Sequence, residues 1–224
     1  MRLSVLMPVY NEARTVEEIV RRVRALPLDL ELVVVDDGST DGTRALLPSI
    51  GGIDRLLVHE RNRGKGAAIR TALAVATGDV VVVQDADLEY DPQDLVPMLR
   101  RMEQGDATVV YGSRILGHNP MSHPSFYLGG RLLSLLANWW YGLSITDEPT
   151  CYKMMRRDLL ASLGLECEGF EFCPEVTAKL ARRGHRIVEV PIRYAPRRLC
   201  EGKKIRARDG WIAIRTLWRY RRWR

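Results

Sequence analysis

The chain reads Val80-Val81-Val82-Val83-Gln84-Asp85-Ala86-Asp87-Leu88-Glu89 in its first half, an apolar run that leads directly into three carboxylates. Four valines in succession predict a buried strand. Because side chains alternate along a strand, Asp85 and Asp87 would point the same way. A turn beyond Gln84 can bring Glu89 beside them. Carboxylate oxygens suit Mg²⁺ or Mn²⁺, and substrate phosphates can fill the remaining coordination positions. The segment therefore predicts a divalent-cation site at a sheet edge, although an acidic loop that simply faces water has the same pattern.

The rest of the first half alternates apolar runs with amphipathic runs. This is the βαβ rhythm of a parallel sheet covered by helices. The strand-like runs are 3–9, 31–35, 55–59 and 79–84, and the helix-like runs are 15–26, 43–47 and 65–76. Ligands of such sheets bind at the carboxyl ends of the strands. Polar residues from three strand ends should converge there: Tyr10-Asn11-Glu12, Asp36-Asp37-Gly38-Ser39 and Asp85-Ala86-Asp87.

The second half mixes helical and extended segments. We predict helices over 92–102 and 174–182 and strands over 107–111 and 186–194. The segment 117–125 has no apolar period, and a loop of this length beside a metal site predicts a lid. The apolar segment 126–145 contains Arg131, Ser134, Asn138 and three glycines. This composition favours a core or interfacial helix over a membrane span.

The size and charge of the chain set limits on its class. A chain of 224 residues with 46% hydrophobic composition is long enough for one sizeable core. We divide it into a catalytic domain over 1–205 and a basic amphipathic helix over 206–224. The net charge is +6, and arginine and lysine crowd the segment from Arg193 onward. A basic end of this kind predicts an anionic partner.

The cysteines and the start of the chain predict a compartment. The four cysteines form no Cys-x-x-Cys pair and have no histidine at metal spacing, so reduced thiols are expected. The apolar run before Pro8 is too short for a signal peptide and is interpreted as the first strand. Both features predict a cytoplasmic protein.

Several short motifs occur in the order found in a known enzyme family. They are Pro8-Val9-Tyr10-Asn11-Glu12, Val35 to Thr43, Arg63-Gly64-Lys65-Gly66, Asp85-Ala86-Asp87, Val110 to Arg114, Thr150-Cys151-Tyr152-Lys153, Phe172 to Lys179, Glu189-Val190-Pro191-Ile192 and Glu201 to Ile205. Together they resemble the family 2 glycosyltransferases of the GT-A fold, and among these the dolichyl-phosphate mannose synthase and polyprenyl-phosphate glycosyltransferase branch. The resemblance covers nearly the whole chain. It implies an α/β nucleotide-diphospho-sugar transferase fold, with a Rossmann-like, mostly parallel sheet and helices on both faces.

The resemblance implies a set of donor-binding residues. They are Pro8, Tyr10, Glu12, Asp37, Lys65, Asp85 and Ala86. The donor would be GDP-mannose or UDP-glucose, whose base and ribose the carboxylates and Tyr10 can contact. Asp87 is implied as a direct ligand of Mg²⁺ or Mn²⁺, with Asp85 touching the metal or the ribose and Glu89 as a third ligand. The cation would neutralise the diphosphate as the glycosidic bond breaks.

The resemblance also implies an acceptor side. A polyprenyl phosphate is already ionised, so it needs charge compensation more than a strong base. Arg114, Arg131 and Ser134 resemble positions that hold this phosphate, although Arg131 could instead be a helix-surface charge. Asp147 resembles an acidic residue that orients or deprotonates the acceptor, although it could equally cap the following segment. Three cations would close over the donor diphosphate and acceptor: Arg198, Lys203 and Lys204. The implied catalytic residues are Asp87, Arg114, Arg131 and Asp147.

The end of the chain places tryptophans beside arginines at helical spacing. They are Trp211, Trp218 and Trp223 with Arg215, Arg219, Arg221, Arg222 and Arg224. Such a stripe fits the boundary of an anionic bilayer, where each charge contributes about 1 kcal/mol. We therefore expect a peripheral protein at the cytoplasmic face of the membrane.

These observations predict a metal-dependent, inverting hexosyltransferase that acts on a polyprenyl phosphate. The closest alternative keeps the donor chemistry but uses a soluble or polysaccharide hydroxyl, for which Asp147 would be needed as a base. A sugar-1-phosphate nucleotidylyltransferase would show a Gly-rich turn after the first strand, which 8–12 does not provide. Nucleic-acid binding would explain the basic tail, but the converging carboxylates would repel a phosphate backbone. We therefore expect no nucleic-acid partner.

Overall fold

One sheet of seven strands runs through the part of the chain that the structure describes. The structure is a computed structural model and describes residues 1–120, 123–197 and 207–223. The strands are β1 (Leu3–Val9), β2 (Leu30–Asp36), β3 (Arg55–Val58), β4 (Val80–Val83), β5 (Val109–Ser113), β6 (Lys153–Arg156) and β7 (Val188–Pro191). Their order is β3-β2-β1-β4-β6-β5-β7, and only β6 runs antiparallel to its neighbours among these strands. The mostly parallel sheet predicted from the sequence is confirmed.

Helices cover both faces of this sheet. In the described ranges they are α1 (Val16–Arg24), α2 (Thr43–Leu46), α3 (Lys65–Val75), α4 (Leu95–Glu103), α5 (Pro124–Tyr141), α6 (Arg157–Ser162), α7 (Phe172–Arg182) and α8 (Ala207–Tyr220). The helices α1 and α4 pack on one face, and α3, α6 and α7 pack on the other. The helices α5 and α8 pack against α7 and against each other.

The alternation of side chains along β1 explains the two apolar layers. Leu3, Val5 and Met7 are buried against α1 and α4, whereas Leu6 is buried on the opposite face. A central strand covered on both faces has no polar side, which is why Val80–Val83 can be valine throughout.

The helix predicted over 126–145 shows how the ends of elements shift. It is observed as Pro124–Tyr141. Pro124 occupies the first turn, where the missing N–H has no intrahelical partner to lose. Gly142 follows the helix with φ of 66°, a left-handed conformation that glycine adopts without steric cost and that ends the helix.

The strands β1 and β4 separate at their carboxyl ends, and this creates a crevice. Their pairing stops at Leu6 and Val83, while β1 continues along β2 to Val9. Pro8 lies beyond the last residue paired with β4, so its missing N–H interrupts no ladder on that side. Because β2 and β4 flank β1 on opposite sides, the strand order reverses here, and ligands bind at such switch points.

The terminal helix α8 is part of the packed core rather than an appendage. Ala213 and Leu217 are buried in a cluster with Ala137 of α5. The predicted domain boundary falls within 198–206, outside the described residues. Because α8 packs on α5 and α7, deleting it would expose this apolar cluster.

Two further observations concern the chain's surroundings. Across the described ranges, every helix falls short of the combined length and apolar character that a bilayer span requires. Cys151, Cys167 and Cys173 are free thiols, and Cys200 lies outside the described residues.

Candidate active site

A cavity of about 1260 Å³ opens at the crevice between β1 and β4. Its wall includes most of the predicted site residues: Pro8, Tyr10, Glu12, Asp37, Lys65, Asp85, Ala86, Asp87, Glu89, Arg114, Arg131 and Asp147. Ser134 is not part of the wall. Arg198, Lys203 and Lys204 lie outside the described residues. The fold therefore brings residues predicted for the donor side and for the acceptor side, from distant parts of the chain, into one space.

Asp87 is a carboxylate of the cavity that lies beside two other negative charges. It follows β4 on a turn in which Leu88 has φ of 62°, a left-handed conformation that is uncommon for a bulky residue. Asp87 Oδ1 accepts the backbone N–H of Glu89 at 3.0 Å. Burial and the negative charges of Asp85 and Glu89 raise the pKa of Asp87 to about 7, and Arg197 offsets this only in part. A cation at this position would relieve the repulsion.

Asp85 is held in an ion pair with Lys65. Lys65 Nζ lies 2.6 Å from Oδ1 and 2.7 Å from Oδ2 of Asp85, and it also donates to Cys151 Sγ at 2.8 Å. Burial opposes the charge on Lys65, but the neighbouring Asp85, together with Cys151 and Cys173, outweighs it and keeps the pKa of Lys65 well above its usual value. Asp85 therefore fixes the position of a cationic side chain at the cavity wall.

Gly64 explains how Lys65 comes to begin α3 at this point. Its φ is 98°, and a Cβ built on it would lie 2.4 Å from the carbonyl oxygen of Glu168. Only glycine fits both the conformation and the close approach. The Gly-Lys-Gly motif is thus a tight helix start that brings Lys65 to Asp85.

Glu89 is engaged by partners other than the two aspartates. Its carboxylate accepts the Tyr194 hydroxyl and the backbone N–H of Arg197 at 2.7 Å. Within residues 1–120, 123–197 and 207–223, no group of three His, Cys, Asp or Glu side chains is arranged to hold a metal ion. In this arrangement Glu89 ties the turn after β4 to the segment after β7, and the set of Asp85, Asp87 and Glu89 as metal ligands stays a prediction.

Asp37, at the end of β2, organises the neighbouring loop. Its Oδ1 lies 2.7 Å from His59 Nδ1 and accepts the N–H of Arg63 at 2.9 Å. Its Oδ2 accepts the N–H of Gly64 at 2.8 Å, which leaves a lone pair on Oδ2 that no described residue uses. Asp37 can therefore shape the wall and still accept a ligand hydroxyl.

Glu12 pairs with Arg197, a residue to which the sequence did not point. Arg197 Nη2 lies 2.8 Å from Glu12 Oε2, and the Thr15 hydroxyl donates to the same carboxylate at 2.8 Å. Since its backbone N–H also holds Glu89, Arg197 links the end of β1 to the turn after β4. It closes one side of the crevice.

Arg114 and Asp147 form a bidentate ion pair. Arg114 Nε and Nη2 lie 2.7 Å from Oδ2 and Oδ1 of Asp147, and its backbone N–H donates to Oδ2 at 2.9 Å. The guanidinium also lies over the rings of Tyr194, at 5.0 Å, and Tyr90, at 5.9 Å. Burial opposes ionisation of Asp147, but the charge and hydrogen bonds of Arg114 lower its pKa. The pair thus keeps Asp147 ionised and holds the Arg114 guanidinium in one orientation.

The loop that carries Asp147 is anchored from β7 and from α5. Glu189 of β7 accepts the N–H groups of Thr146 at 2.7 Å and Asp147 at 3.0 Å. Arg131 Nη1 donates to the Thr146 carbonyl oxygen at 3.0 Å. The remaining donors of Arg131 are left on the cavity wall, where they can meet an anionic ligand.

Ser134 of α5 also contacts the loop that carries Asp147. It is 2% exposed, its hydroxyl donates to the Gly130 carbonyl oxygen at 3.0 Å, and it accepts the N–H of Glu148 at 2.9 Å. The structure thus gives Ser134 a role in holding the loop rather than a place on the cavity wall.

Asn119 fixes the start of the segment predicted to be a lid. Its Nδ2 donates to the carbonyl oxygens of Arg114 and Ile192, both at 2.8 Å, and its Oδ1 accepts the N–H of Tyr194 at 2.7 Å. Residues 121 and 122 lie outside the described part of the chain. The portion up to Asn119 is tied to the segment that follows β7, and the lid stays a prediction for the residues beyond it.

Three residues that shape the site were not singled out from the sequence. They are Tyr90, Tyr194 and Arg197, whereas Glu189 belonged to a family motif to which no role was assigned. Tyr194 ends a predicted strand, and this position was the available signal. Tyr90 directly follows the acidic turn and packs on Tyr194 with ring centroids 5.2 Å apart. The hydrogen-bond partners of these residues could be identified only once the fold was known.

The fold and the cavity together define a glycosyltransferase of the GT-A type. A turn with two aspartates lies at the switch point of a mostly parallel sheet, and an antiparallel strand and arginines follow. A profile of Glycosyl transferase family 2 matches residues 4–164. The chain belongs to this family.

Two curated relatives cover nearly the whole chain. The low-salt glycan biosynthesis hexosyltransferase Agl6 of Haloferax volcanii is 31% identical over 96% of this chain and 52% of its own length. An undecaprenyl-phosphate mannosyltransferase of Micrococcus luteus is 31% identical over 91% of this chain and 87% of its own length. The chain thus spans about half of the first relative and most of the second. These relatives confirm the resemblance to the polyprenyl-phosphate glycosyltransferase branch.

Solved structures confirm the fold. Glucosyl-3-phosphoglycerate synthase from Mycobacterium tuberculosis, in complex with phosphoglyceric acid, has a TM-score of 0.78 and 23% identity over 98% of this chain and 79% of that chain. The same enzyme in complex with Mn²⁺, UDP-glucose and phosphoglyceric acid has a TM-score of 0.77. At this level of identity the likeness establishes the architecture.

Proposed function

We propose that the chain transfers a hexose from a nucleotide sugar to a polyprenyl phosphate, with Mg²⁺ or Mn²⁺ and with inversion at the anomeric carbon. The observation that carries this proposal is a single cavity lined both by Asp85 and Asp87 and by Arg114 and Arg131. The carboxylates suit the cation that accompanies a nucleoside diphosphate, and the guanidiniums suit an anionic acceptor. The Micrococcus relative, named for mannosyl transfer to undecaprenyl phosphate, supports the acceptor class.

Asp87 fits the role of direct cation ligand. Its carboxylate is held beside two other negative charges that raise its pKa to about 7, and binding a cation removes this unfavourable repulsion. Asp85 is paired with Lys65, so it would act as a second contact or as the group that positions Lys65. Glu89 is left out of the ligand set because Tyr194 and Arg197 occupy it. When bound, the cation would compensate the charge that develops on the departing diphosphate.

The donor base and ribose would lie between the ends of β1 and β2. Pro8 and Tyr10 are partly exposed there, and Tyr10 offers a ring on which a base can stack. Asp37 keeps a lone pair for a ribose hydroxyl, and Lys65 is placed to contact the diphosphate. GDP-mannose and UDP-glucose both fit this description.

The acceptor phosphate would bind to Arg114 and Arg131. The bidentate pair with Asp147 uses Nε and Nη2 of Arg114, and Nη1 has no hydrogen-bond partner among the described residues. A fixed guanidinium with a free edge can hold a phosphate in line with the anomeric carbon. Since a phosphate oxygen is already ionised, it needs no base, which agrees with the lowered pKa of Asp147.

Transfer to a hydroxyl acceptor is the alternative function, and the similarity to the Mycobacterium enzyme is the observation that favours it. The Mycobacterium enzyme is named for a glucosyl-phosphoglycerate product and was crystallised with phosphoglyceric acid. A hydroxyl must lose its proton during attack, so this reaction would need Asp147 as a base. The strong pair with Arg114 makes Asp147 poorly suited to accept a proton.

The surface of α8 supports a peripheral position at an anionic membrane. Five exposed residues in and just after α8 recur every three or four positions and therefore share one face: Arg208, Trp211, Arg215, Trp218 and Arg222. Arg219 is exposed beside them. Tryptophan favours the boundary of a bilayer, and each arginine gains about 1 kcal/mol near an anionic surface. We propose the cytoplasmic face, where the anionic lipids and the nucleotide sugars meet.

A partition assay tests the proposed reaction. Purified protein is given radiolabelled GDP-mannose or UDP-glucose with Mg²⁺ or Mn²⁺ and a polyprenyl phosphate, and label extracted into organic solvent is counted. We expect metal-dependent transfer into the organic phase with one donor, no transfer after addition of EDTA, and recovery when metal is restored. Label that remains aqueous with both donors, although the protein binds nucleotide, would contradict the proposed acceptor.

A further inference from the structure

The outer side of α5 carries no charged residue. Beyond Ser125, its exposed residues are Tyr127, Leu128, Gly129, Leu132, Leu135 and Trp139. Leu128 is 65% exposed, Leu135 59% and Trp139 78%. A surface helix normally presents polar residues to water. The charge on this helix, Arg131, instead donates to the Thr146 carbonyl oxygen. Within the described part of the chain, this face has no polar cover.

Four of these residues form one continuous line. Leu128, Leu132, Leu135 and Trp139 are separated by four, three and four positions, the spacing that keeps side chains on one face of a helix. At a rise of 1.5 Å per residue the line is roughly 17 Å long. We call these four residues the apolar stripe. Its continuity distinguishes it from the single exposed apolar residues that are normal on protein surfaces.

The apolar stripe adjoins the cavity through Leu132. Leu132 of the stripe and Tyr127 beside it line the cavity wall, as do Trp211 and Arg208 of α8. The same wall carries Arg114, the proposed phosphate ligand. An apolar surface therefore leads directly to the cations of the site.

The arginines on the neighbouring helix α8 indicate which kind of partner covers the apolar stripe. The exposed face of α8, which packs against α5, alternates arginine with tryptophan. A second copy of the chain would bring the same arginines toward each other, and like charges would oppose that contact. An anionic bilayer accepts both surfaces, since aliphatic side chains enter the acyl boundary and arginines meet the lipid phosphates.

We propose that the apolar stripe inserts into the acyl boundary of an anionic bilayer and sets the cavity mouth at the level of the lipid head groups. The inference rests on the proposed function in one respect, because a membrane-borne phosphate acceptor is what this orientation would serve. It adds α5 to the membrane contact proposed for α8. It also assigns the deeper, apolar part of that contact to α5.

The test uses the full chain with the triple substitution L128Q/L135Q/W139Q. These three side chains point outward and are not part of the cavity wall, so the fold and the site should remain, as checked by circular dichroism and thermal unfolding. The matched control is Val58→Gln, because Val58 is an exposed apolar residue, 51% exposed, on the edge strand β3. Binding is measured by sedimentation with vesicles of phosphatidylcholine and phosphatidylglycerol. Activity is measured with a short, water-soluble prenyl phosphate and with a long polyprenyl phosphate in the vesicles.

We expect vesicle affinity of the triple variant to fall by about a hundredfold or more, since burial of one such side chain is worth a factor of about ten. Transfer to the vesicle-borne acceptor should fall with it, while transfer to the soluble acceptor and the Val58→Gln control stay unchanged. Undiminished vesicle binding by the triple variant would overturn the inference. A wild-type dimer that the triple variant abolishes, without vesicle binding, would overturn it in favour of self-association. If the wild type binds vesicles through the stripe but transfers sugar to neither acceptor, the proposed function fails and the membrane contact stands.

Discussion

The cavity has an acidic wall, formed by Asp85, Asp87 and Glu89, and a basic wall, formed by Arg114 and Arg131. The two walls differ in how far neighbouring residues of the protein compensate their charges. After β4, Asp87 stands beside two other carboxylates, and its pKa is raised to about 7. After β5, Arg114 is held by Asp147 and by two tyrosine rings. The carboxylates of the acidic wall repel one another, and a bound cation can relieve this repulsion. The Arg114 guanidinium of the basic wall is held in a fixed orientation before a ligand binds.

This difference indicates a division of labour between the two walls. A carboxylate kept under repulsion gains from a cation, so in the proposed reaction the donor side would depend on a bound metal for completion. A guanidinium fixed by a partner loses little freedom when it binds a phosphate, so the acceptor side is preorganised. Substitutions on the acidic wall should therefore remove activity outright, and those on the basic wall should weaken acceptor use by degrees.

Asp87→Asn is expected to give the largest effect. The amide has the same size but cannot replace a charged cation ligand, so kcat/KM should fall by at least about a thousandfold. The melting temperature should stay the same or rise, because one of three crowded charges is removed. Transfer assays, thermal unfolding and Mn²⁺ titration with nucleoside diphosphate measure these effects. The control is Asp158→Asn, whose side chain is 76% exposed on α6. If the variant kept metal-dependent turnover close to that of the wild type, the proposal that Asp87 binds the cation directly would be wrong.

Arg114→Lys should give the next largest effect. Lysine keeps the charge but loses the fork that pairs with Asp147 and a phosphate together. We expect kcat/KM for the acceptor to fall by about a hundredfold, mainly through the acceptor KM, while nucleotide binding is unchanged. Arg22→Lys on α1 is the control, since Arg22 makes a surface pair with Glu18. An unchanged acceptor KM would contradict the proposal that Arg114 binds the acceptor phosphate.

Asp147→Asn separates orientation from base catalysis. If Asp147 orients Arg114, the loss should be about tenfold, and the double variant with Arg114→Lys should lose less than the product of the two single effects. The pH profile of the residual activity should keep its shape, because the acceptor is already ionised. A loss as large as that of Asp87→Asn, with a changed pH profile, would instead favour a hydroxyl acceptor and a base at Asp147.

Substitutions on α8 should give the smallest effect. Arg215→Gln removes one charge from the proposed membrane face, so vesicle affinity should fall by about fivefold at low salt and less at high salt. Activity on a soluble prenyl phosphate should be unaffected. Vesicle sedimentation at two ionic strengths measures the change, and Arg55→Gln, at an exposed position on β3, is the control. Equal losses for Arg215→Gln and Arg55→Gln would show that the contact reflects net charge alone.

The fold was predictable because its signals are local. The valine run of β4, the alternation along β1 and the strand ends that carry Asp37, Asp85 and Asp87 could all be recognised in the sequence. The edges of elements were less predictable, as the early end of α5 at Gly142 shows. Residue type and strand position thus sufficed to place most of the candidate site on one cavity wall.

The partners of each charge were not predictable in the same way. Glu89 has the residue type of a metal ligand, but contacts to Tyr194 and Arg197, which lie more than a hundred residues away, use its oxygens. Arg114 and Asp147 were each assigned to the acceptor, but their pairing across 33 residues depends on the packing of β5 against the later loop. Hydrogen bonds between distant segments become visible only when the sheet order is known.

The most direct test of the account compares two acceptors that differ only in the phosphate. The protein is given its preferred labelled nucleotide sugar with metal and either a polyprenyl phosphate or the polyprenol of the same length, and the initial rates of label transfer are measured. The account predicts transfer to the phosphate and none above background to the alcohol, because Arg114 and Arg131 bind an anion and Asp147 does not act as a base. Equal or faster transfer to the alcohol would contradict it.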